Sequence, residues 1–319
     1  MPSKNKKYNI LVTGVGGPAG INAVRLLQKY KKDFEVFGVD INPLSVGKKF
    51  SKHFDVCESV SSRQEYIKWM SSYITKNKID IVLPTVAEEL VLIEDVENKI
   101  KNEEVLFVVS NKRSLLLCDK KNELYDWMTS QFPDYIGPHQ VLNKKLEWKA
   151  EEYFIKPITG RGSRGCRLVS RVELLWMMKN IDTTKTIAME VLPGKEWTVD
   201  AYIRADGTFA YVVPRVRVSL SGGISLVGKT EKREDIIEMT KQVLSKLDCF
   251  GPVFIQWKEN QYGIPKMVEI NPRLSGGVTI TALAGANPIK VLLDELGAKK
   301  TSVQWKELTV SRYFEDTII

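Results

Sequence analysis

The rhythm of strands and helices changes once along the chain, near Ser110, and that change limits what the chain can fold into. Before it, Tyr8–Thr13, Phe34–Asp40, Ile79–Pro84 and Val105–Ser110 read as strands. The first is followed by a glycine turn and a helix-period stretch with Ile21, Val24, Leu27 and Tyr30 on one face, and helical patterns separate the later ones. Strands parted by helices predict a parallel, doubly wound sheet covered on both sides. Beyond Ser110, Asp119–Ser130 predicts a helix and Phe132–His139, with its prolines and glycine, a loop. Strands then follow one another directly at Tyr153–Ile158, Cys166–Ser170, Thr186–Leu192, Trp197–Arg204 and Thr208–Val218. A helix at Arg233–Leu247 leads to Pro252–Lys258 and Lys266–Ile270. Such runs predict antiparallel sheet in an α+β unit.

Composition excludes more than it selects. The chain has 319 residues, enough for two or three packed units, and no apolar run approaches the roughly 20 residues of a membrane helix. No stretch has the layout of a signal peptide, so a cytoplasmic protein is expected. The formal charge of +8 is dispersed, which suits anionic small molecules, and no nucleic-acid-binding module is recognisable. Cys57, Cys118, Cys166 and Cys249 lie far apart with no C-x-x-C pair, as reduced structural thiols would. Two histidines, His53 and His139, exclude a His-rich metal site.

Two glycine-rich turns compete as nucleotide sites. Gly14, Gly16, Gly17 and Gly20 follow the first strand, Ala19 takes the third fingerprint position, and Asp40 ends the second strand, where a dinucleotide fold places its ribose-binding acid. This is the argument for a nicotinamide-dependent oxidoreductase. A tight turn between strand and helix needs glycine for steric reasons alone, however, so a Rossmann-like unit without a dinucleotide is the preferred reading.

The second turn, Gly160-Arg161-Gly162-Ser163-Arg164-Gly165, follows a strand carrying Lys156; exposed N–H groups and one ammonium suit a phosphate chain. The connector Glu190-Val191-Leu192-Pro193-Gly194-Lys195-Glu196 offers backbone groups for an adenine edge and carboxylates for an amine and ribose hydroxyls; a plain Pro-Gly turn also accounts for it. The most specific signal is Val268-Glu269-Ile270-Asn271-Pro272-Arg273, with Gln256 on the strand before it. Positions 269, 271 and 273 alternate by two and face one way on an extended strand. Three polar residues on one face of a buried strand are costly unless engaged. Oxygen donors from Gln256, Glu269 and Asn271 suit Mg²⁺, and Arg273 suits a phosphate beside it. Asp119-Lys120 opens the predicted helix, where an N-cap and an exposed lysine are an adequate account by themselves.

Taken in order, Asp119-Lys120, Phe154–Gly165, Met189–Asp200 and Gly251–Arg273 with Leu274-Ser275-Gly276-Gly277 resemble the ATP-grasp superfamily. The resemblance is strongest to one ATP-binding half of the carbamoyl phosphate synthetase large subunit. It implies a Rossmann-like pre-ATP-grasp domain over 1–112 and an ATP-grasp domain over 113–319. That domain would comprise a lid lobe to about residue 190, a large lobe to about 304 and a tail over 305–319. It also implies Lys120 and Lys156 as phosphate contacts and Gly160, Arg161, Gly162 and Ser163 in the phosphate lid. Glu190, Val191 and Leu192 would form the adenine hinge and Glu196 the ribose acid. Gln256 and Glu269 would hold a first Mg²⁺, Glu269 and Asn271 a second, with Mn²⁺ an acceptable substitute, and Arg273 would stand beside an acyl phosphate. Ser225 stands where the synthetase carries histidine, and one ATP unit does not supply the two phosphorylations of carbamoyl phosphate synthesis.

The expectation is therefore an ATP-dependent ligase joining a small carboxylate to an amine or ammonia through an acyl phosphate, with Lys156 and Arg273 as catalytic groups. Arg215 and Arg217, two apart near a strand end, are equally well read as carboxylate anchors or as a solvated pair. Ser219–Ser225, rich in Gly and Ser, reads as a mobile loop over the substrate. A nucleotide-binding protein without turnover is the remaining alternative. The identities of acid and amine are not legible; a homodimer paired through the N-terminal region is the association the family suggests.

Overall fold

The computed structural model describes residues 6–100, 104–142, 145–160, 165–221 and 224–318. The N-terminal unit runs β1 (Tyr8–Thr13), α1 (Pro18–Leu27), β2 (Phe34–Asp40), β3 (His53–Val56), α2 (Arg63–Lys76), β4 (Ile81–Leu83), α3 (Ala87–Leu90), α4 (Ile93–Lys99) and β5 (Leu106–Phe107). Its strands pair in parallel in the order β3-β2-β1-β4-β5. Alternation along β1 explains the cover: Ile10 and Val12 pack on one side with α1, Leu11 on the other with Tyr66 and Met70 of α2. The chain leaves β1 towards β2 on one side and reaches β4 on the other, so the crevice at the strands' carboxyl ends opens between β1 and β4.

Helices α5 (Lys112–Asp119) and α6 (Lys121–Gln131) follow, then a small sheet of β6 (His139–Val141), β7 (Glu152–Pro157), β8 (Arg167–Ser170) and β9 (Thr186–Met189). These pair antiparallel in the order β6-β9-β7-β8, and α7 (Arg171–Asn180) buries Leu174 and Met177 against them. The large sheet holds β10 (Glu196–Ile203), β11 (Phe209–Ser221), β12 (Ile224–Thr230), β13 (Gly251–Glu259), β14 (Pro265–Asn271) and β15 (Thr309–Ser311), in the order β14-β13-β10-β11-β12-β15. Helix α8 (Glu234–Ser245) covers one face of it. Trp197 and Trp257 stand opposite each other in the register and are wholly buried in the core beneath α8. Each has the burial for which truncation to alanine costs about 3–5 kcal/mol.

Three features depart from the sequence expectation. Strands β11 and β12 continue to 221 and from 224, so the stretch read as a loop is largely a hairpin, with Gly222 and Gly223 outside the described residues. Helices α9 (Val278–Ala284) and α10 (Pro288–Leu296) cross back onto the N-terminal unit, where Val278, Ile289 and Leu292 join the core around Ile10 and α1. The segment set apart as a tail instead supplies β15, which pairs with β12 at the sheet edge. Among the described residues no helix is long and apolar enough to cross a membrane.

Candidate active site

Alternation decides which side chains of the large sheet are available. On β10, Trp197, Val199 and Ala201 face the α8 core, so Glu196, Thr198 and Asp200 face the other way. The register then sets Arg215 (β11), Thr198 (β10), Gln256 (β13) and Glu269 (β14) opposite one another in one row across four strands. One pleat along, Asn271 stands opposite Phe254. Residues far apart in sequence therefore meet on a single face because strand pairing aligns them.

The predicted alternation of 269, 271 and 273 stops one residue short. Pro272 cannot donate to a ladder, β14 ends at Asn271, and Arg273 sits in the bend, its N–H bonded to the Asn271 carbonyl at 2.8 Å. Its guanidinium lies 5.2 Å from the centre of the Phe254 ring, and Nη1 donates to the Leu274 carbonyl at 3.0 Å.

Two cavities share this face. One, of about 450 Å³, lies between the small and large sheets and is lined by Lys121, Lys156, Cys166 and, from the connector, Glu190–Pro193 and Glu196. The other, of about 960 Å³, runs to the β1–β4 crevice and is lined by Thr198, Arg215, Asn271 and Arg273 on one side and by Gly14, Asp40 and Glu89 on the other. Gln256, Glu269 and Arg217 line both.

In the smaller cavity a β-bulge sets the chemistry. Gln256 pairs with Glu269 but Trp257 pairs with Met267, which leaves Val268 as the extra residue. Its carbonyl accepts from Tyr125 Oη at 2.6 Å and from Lys156 Nζ at 3.0 Å. Lys156 is 3% exposed, also bonds the Tyr125 hydroxyl, and has no carboxylate within ion-pair distance among the described residues. Burial pulls its pKa down to about 8; Glu269 nearby resists that shift and Lys121 adds to it. An ammonium buried against neutral oxygens is costly, and an incoming anion would relieve it.

Lys120 does not point here. It is the exposed residue capping α6 and pairs with Glu123 at 2.8 Å, whereas Lys121, one residue on, is buried and donates to the Gly160 carbonyl at 2.9 Å. The structure thus replaces Lys120 by Lys121 in the cavity wall, because the first residue of α6 faces inward and the cap faces out. Arg161, Gly162 and Ser163 lie outside the described residues. Glu190, Val191 and Leu192 line the cavity together, and burial raises the Glu190 carboxyl. Glu196 lines it too but is ion-paired with Arg217.

Arg215 and Arg217 separate in role. Arg215 is 1% exposed; Nε donates to Asp200 at 2.7 Å and Nη2 to Ser275 Oγ at 2.9 Å. Thr281 donates to the same Asp200 oxygen. Gly277 is required behind it, since a Cβ there would stand 2.5 Å from Arg215 Nη1. Arg215 is therefore a buttressed wall residue, and the solvated-pair reading does not hold for it.

The N-terminal turn spends its polar groups on itself. Gly16 N–H donates to Asp40 Oδ2 at 2.7 Å and Asn42 N–H to Oδ1 at 2.9 Å, so one carboxylate oxygen braces the glycine turn and the other the bend after β2. Gly14 adopts φ +57°, and a Cβ on it would meet Val86. Sequence reasoning missed Glu89, 1% exposed, which accepts from the hydroxyls of Thr13 and Tyr66 and from the N–H groups of Thr85 and Val86. It also missed Tyr125 and Thr198; neither carries a motif, and only the fold brings them in.

A family model described as "ATP-grasp in the biosynthetic pathway with Ter operon" matches residues 182–316, which hold the sheet row, both arginines and β15. The whole fold is similar to N5-carboxyaminoimidazole synthetase from Staphylococcus aureus, at TM-score 0.73 and 14% identity over 97% of this chain and 83% of that one. The chain has the ATP-grasp fold. A second ATP-grasp likeness is to the biotin carboxylase domain of 2-oxoglutarate carboxylase from Hydrogenobacter thermophilus, solved with MgADP, ADP and bicarbonate. There the TM-score is 0.72 and the identity 11%, over 94% of this chain and 73% of that one. A third is to L-amino acid ligase from Bacillus licheniformis, at TM-score 0.68 and 12% identity over 92% and 74%. A search of curated proteins by sequence finds no match.

Proposed function

We propose that this ATP-grasp chain is an ATP-dependent carboxylate–amine, or carboxylate–ammonia, ligase. The observation that carries the reading is the meeting of the two cavities at Gln256, Glu269 and Arg217. ATP occupies the smaller cavity: adenine against Glu190, Val191 and Leu192, ribose near Glu196, and phosphates towards Lys156 and Lys121. The acid and then the amine occupy the larger. A carboxylate oxygen attacks the γ-phosphorus as the bond to the β-phosphate oxygen breaks, giving ADP and an acyl phosphate. The amine nitrogen then attacks the acyl carbon, phosphate leaves with the electron pair of its bridging oxygen, and the surplus amine proton passes to solvent. Arg273 neutralises the transferring phosphoryl group and Lys156 the phosphates, charge stabilisation by preset donors in a partly dry site.

The donor set fits Mg²⁺. Among the described residues no group of three His, Cys, Asp or Glu could hold a metal by itself. One carboxylate with two amide oxygens suits a hard ion that takes most of its ligands from phosphate and water. Gln256 and Glu269 would hold one ion, Glu269 and Asn271 a second; bound there, Mg²⁺ neutralises phosphate charge.

Hydroxylamine trapping tests the reading. Protein, Mg-ATP and a pool of amino, hydroxy and sugar acids with bicarbonate are incubated with hydroxylamine, and ADP and hydroxamate are scored against Glu269→Gln. Hydroxamate from the wild type alone supports the ligase. Equal Mg-dependent turnover by a folded Glu269→Gln protein sinks it. Bound ATP with neither product favours a binder without chemistry.

A further inference from the structure

Beyond the sheet row, one cation stands behind the wall of the larger cavity. Arg312 follows β15, is half-buried, and donates to three separate parts of the molecule. Its Nη2 bonds Asn22 Oδ1 of α1 at 3.1 Å, and Nη1 bonds the Gly276 carbonyl at 3.0 Å and, more weakly, the Ser225 carbonyl at 3.4 Å. Its own N–H bonds the Leu226 carbonyl of β12 at 2.8 Å. Asn22 is 1% exposed and closes the triangle, its Nδ2 donating to the same Gly276 carbonyl at 2.9 Å.

Every acceptor is neutral, and among the described residues no carboxylate lies within ion-pair distance of the guanidinium. Burial and the neighbouring Arg215 and Arg25 push its pKa down. A charge kept half-buried among other cations, bonded only to neutral oxygens, is a costly way to hold a chain end. Gly276 and Ser225 line the larger cavity, and so do Pro18 and Ala19 at the start of the helix that carries Asn22. Ser275, next to Gly276, accepts the Arg215 bond described above, and Arg273 lies just before it.

We propose that Arg312 is a positioning residue for the co-substrate cavity. It latches α1 of the N-terminal unit to the 274–277 turn, and through that turn it sets Arg215 and Arg273 against the acid. The kinetic part of this proposal rests on the ligase reading; the latch itself does not.

Arg312→Ala and Arg312→Lys are compared with the wild type in the hydroxamate assay and by hydrogen exchange. Expected for Arg312→Ala is a KM for the acid raised about tenfold, a KM for ATP within about twofold, and partial recovery in Arg312→Lys. Amides of 18–27 and 274–278 should exchange faster while those of β10 do not change. Asn22→Ala should reproduce the effect, and the double variant should add little, as expected of partners in one network. An unchanged acid KM and unchanged exchange in a folded Arg312→Ala protein would overturn the latch. So would equal losses for acid and ATP that merely follow a lowered Tm. If Arg312→Ala does not fold, Arg312→Lys and Arg312→Gln carry the same measurements. If the wild type traps no hydroxamate, the ligase reading has failed, and the exchange pattern with the Asn22 double variant decides the latch alone.

Discussion

Asp40 and Glu269 are acidic residues near strand ends in two stretches that the sequence offers as nucleotide sites, and the structure treats them in opposite ways. Asp40 ends β2 with one oxygen bonded to the Gly16 N–H of the glycine turn and the other to the Asn42 N–H just beyond its own strand. Glu269 ends a row of polar side chains, faces Gln256 across the register and lines both cavities. A motif's side chain can complete the backbone that carries it or be offered to a ligand. The hydrogen-bond count of the site, not the spacing of the motif, distinguishes the two.

That contrast can be broken in several places. The largest effect should come from the proposed γ-phosphate end: if Arg273 acts there, Arg273→Ala is expected to lower turnover about 10³-fold with nucleotide affinity little changed, read from kcat beside calorimetric ADP binding. Lys156→Met should weaken ADP binding by about ten- to a hundredfold, the size of a charge-assisted hydrogen bond, yet raise the melting temperature by removing a buried ammonium. If that variant binds ADP normally, the smaller cavity is not the phosphate seat. On the other side, Asp40→Asn should leave ADP affinity unchanged and cost about 1 kcal/mol of stability, and NADH fluorescence should show no binding to either form. An affinity for NADH that Asp40→Asn abolishes would reverse the comparison.

The smallest effect concerns pH. Burial raises the Glu89 carboxyl above its ordinary 4.5, although four hydrogen bonds oppose that shift. The folded state therefore keeps its proton at pH values where the unfolded chain has lost it. Glu89 should erode stability as pH rises from about 4.5 through the raised pKa, and the penalty is complete above it. Glu89→Gln should abolish that slope and raise the neutral-pH melting temperature; about 1 kcal/mol would appear as roughly 2–4 °C. A melting profile with the wild-type slope would show that another group sets it.

Strand-forming runs that follow one another directly made four strands of the large sheet legible, β10, β11, β13 and β14; Trp197–Arg204 was expected where β10 spans Glu196–Ile203. The row through Arg215 and Thr198 was not legible, because register between distant strands leaves no local signal. The family resemblance implied Lys120, and only the direction in which α6 leaves its cap separates it from Lys121. The bulge at Val268, which turns a carbonyl towards Lys156, has no sequence mark, since any residue can be the extra one. Strand β15 was missed because three residues are too few for a pattern, and β12 because serine and glycine at its start read as loop.

Two chambers that meet at one wall also give the proposed reaction a stereochemical consequence. In the proposed ligase reaction ADP departs into the smaller chamber and the acid arrives from the larger, so nucleophile and leaving group would stand on opposite sides of phosphorus. A single in-line displacement inverts configuration. Turnover of ATP made chiral at the γ-position with sulfur and oxygen isotopes should therefore deliver inverted thiophosphate, whereas a phosphorylated protein side chain would add a second displacement and return retention.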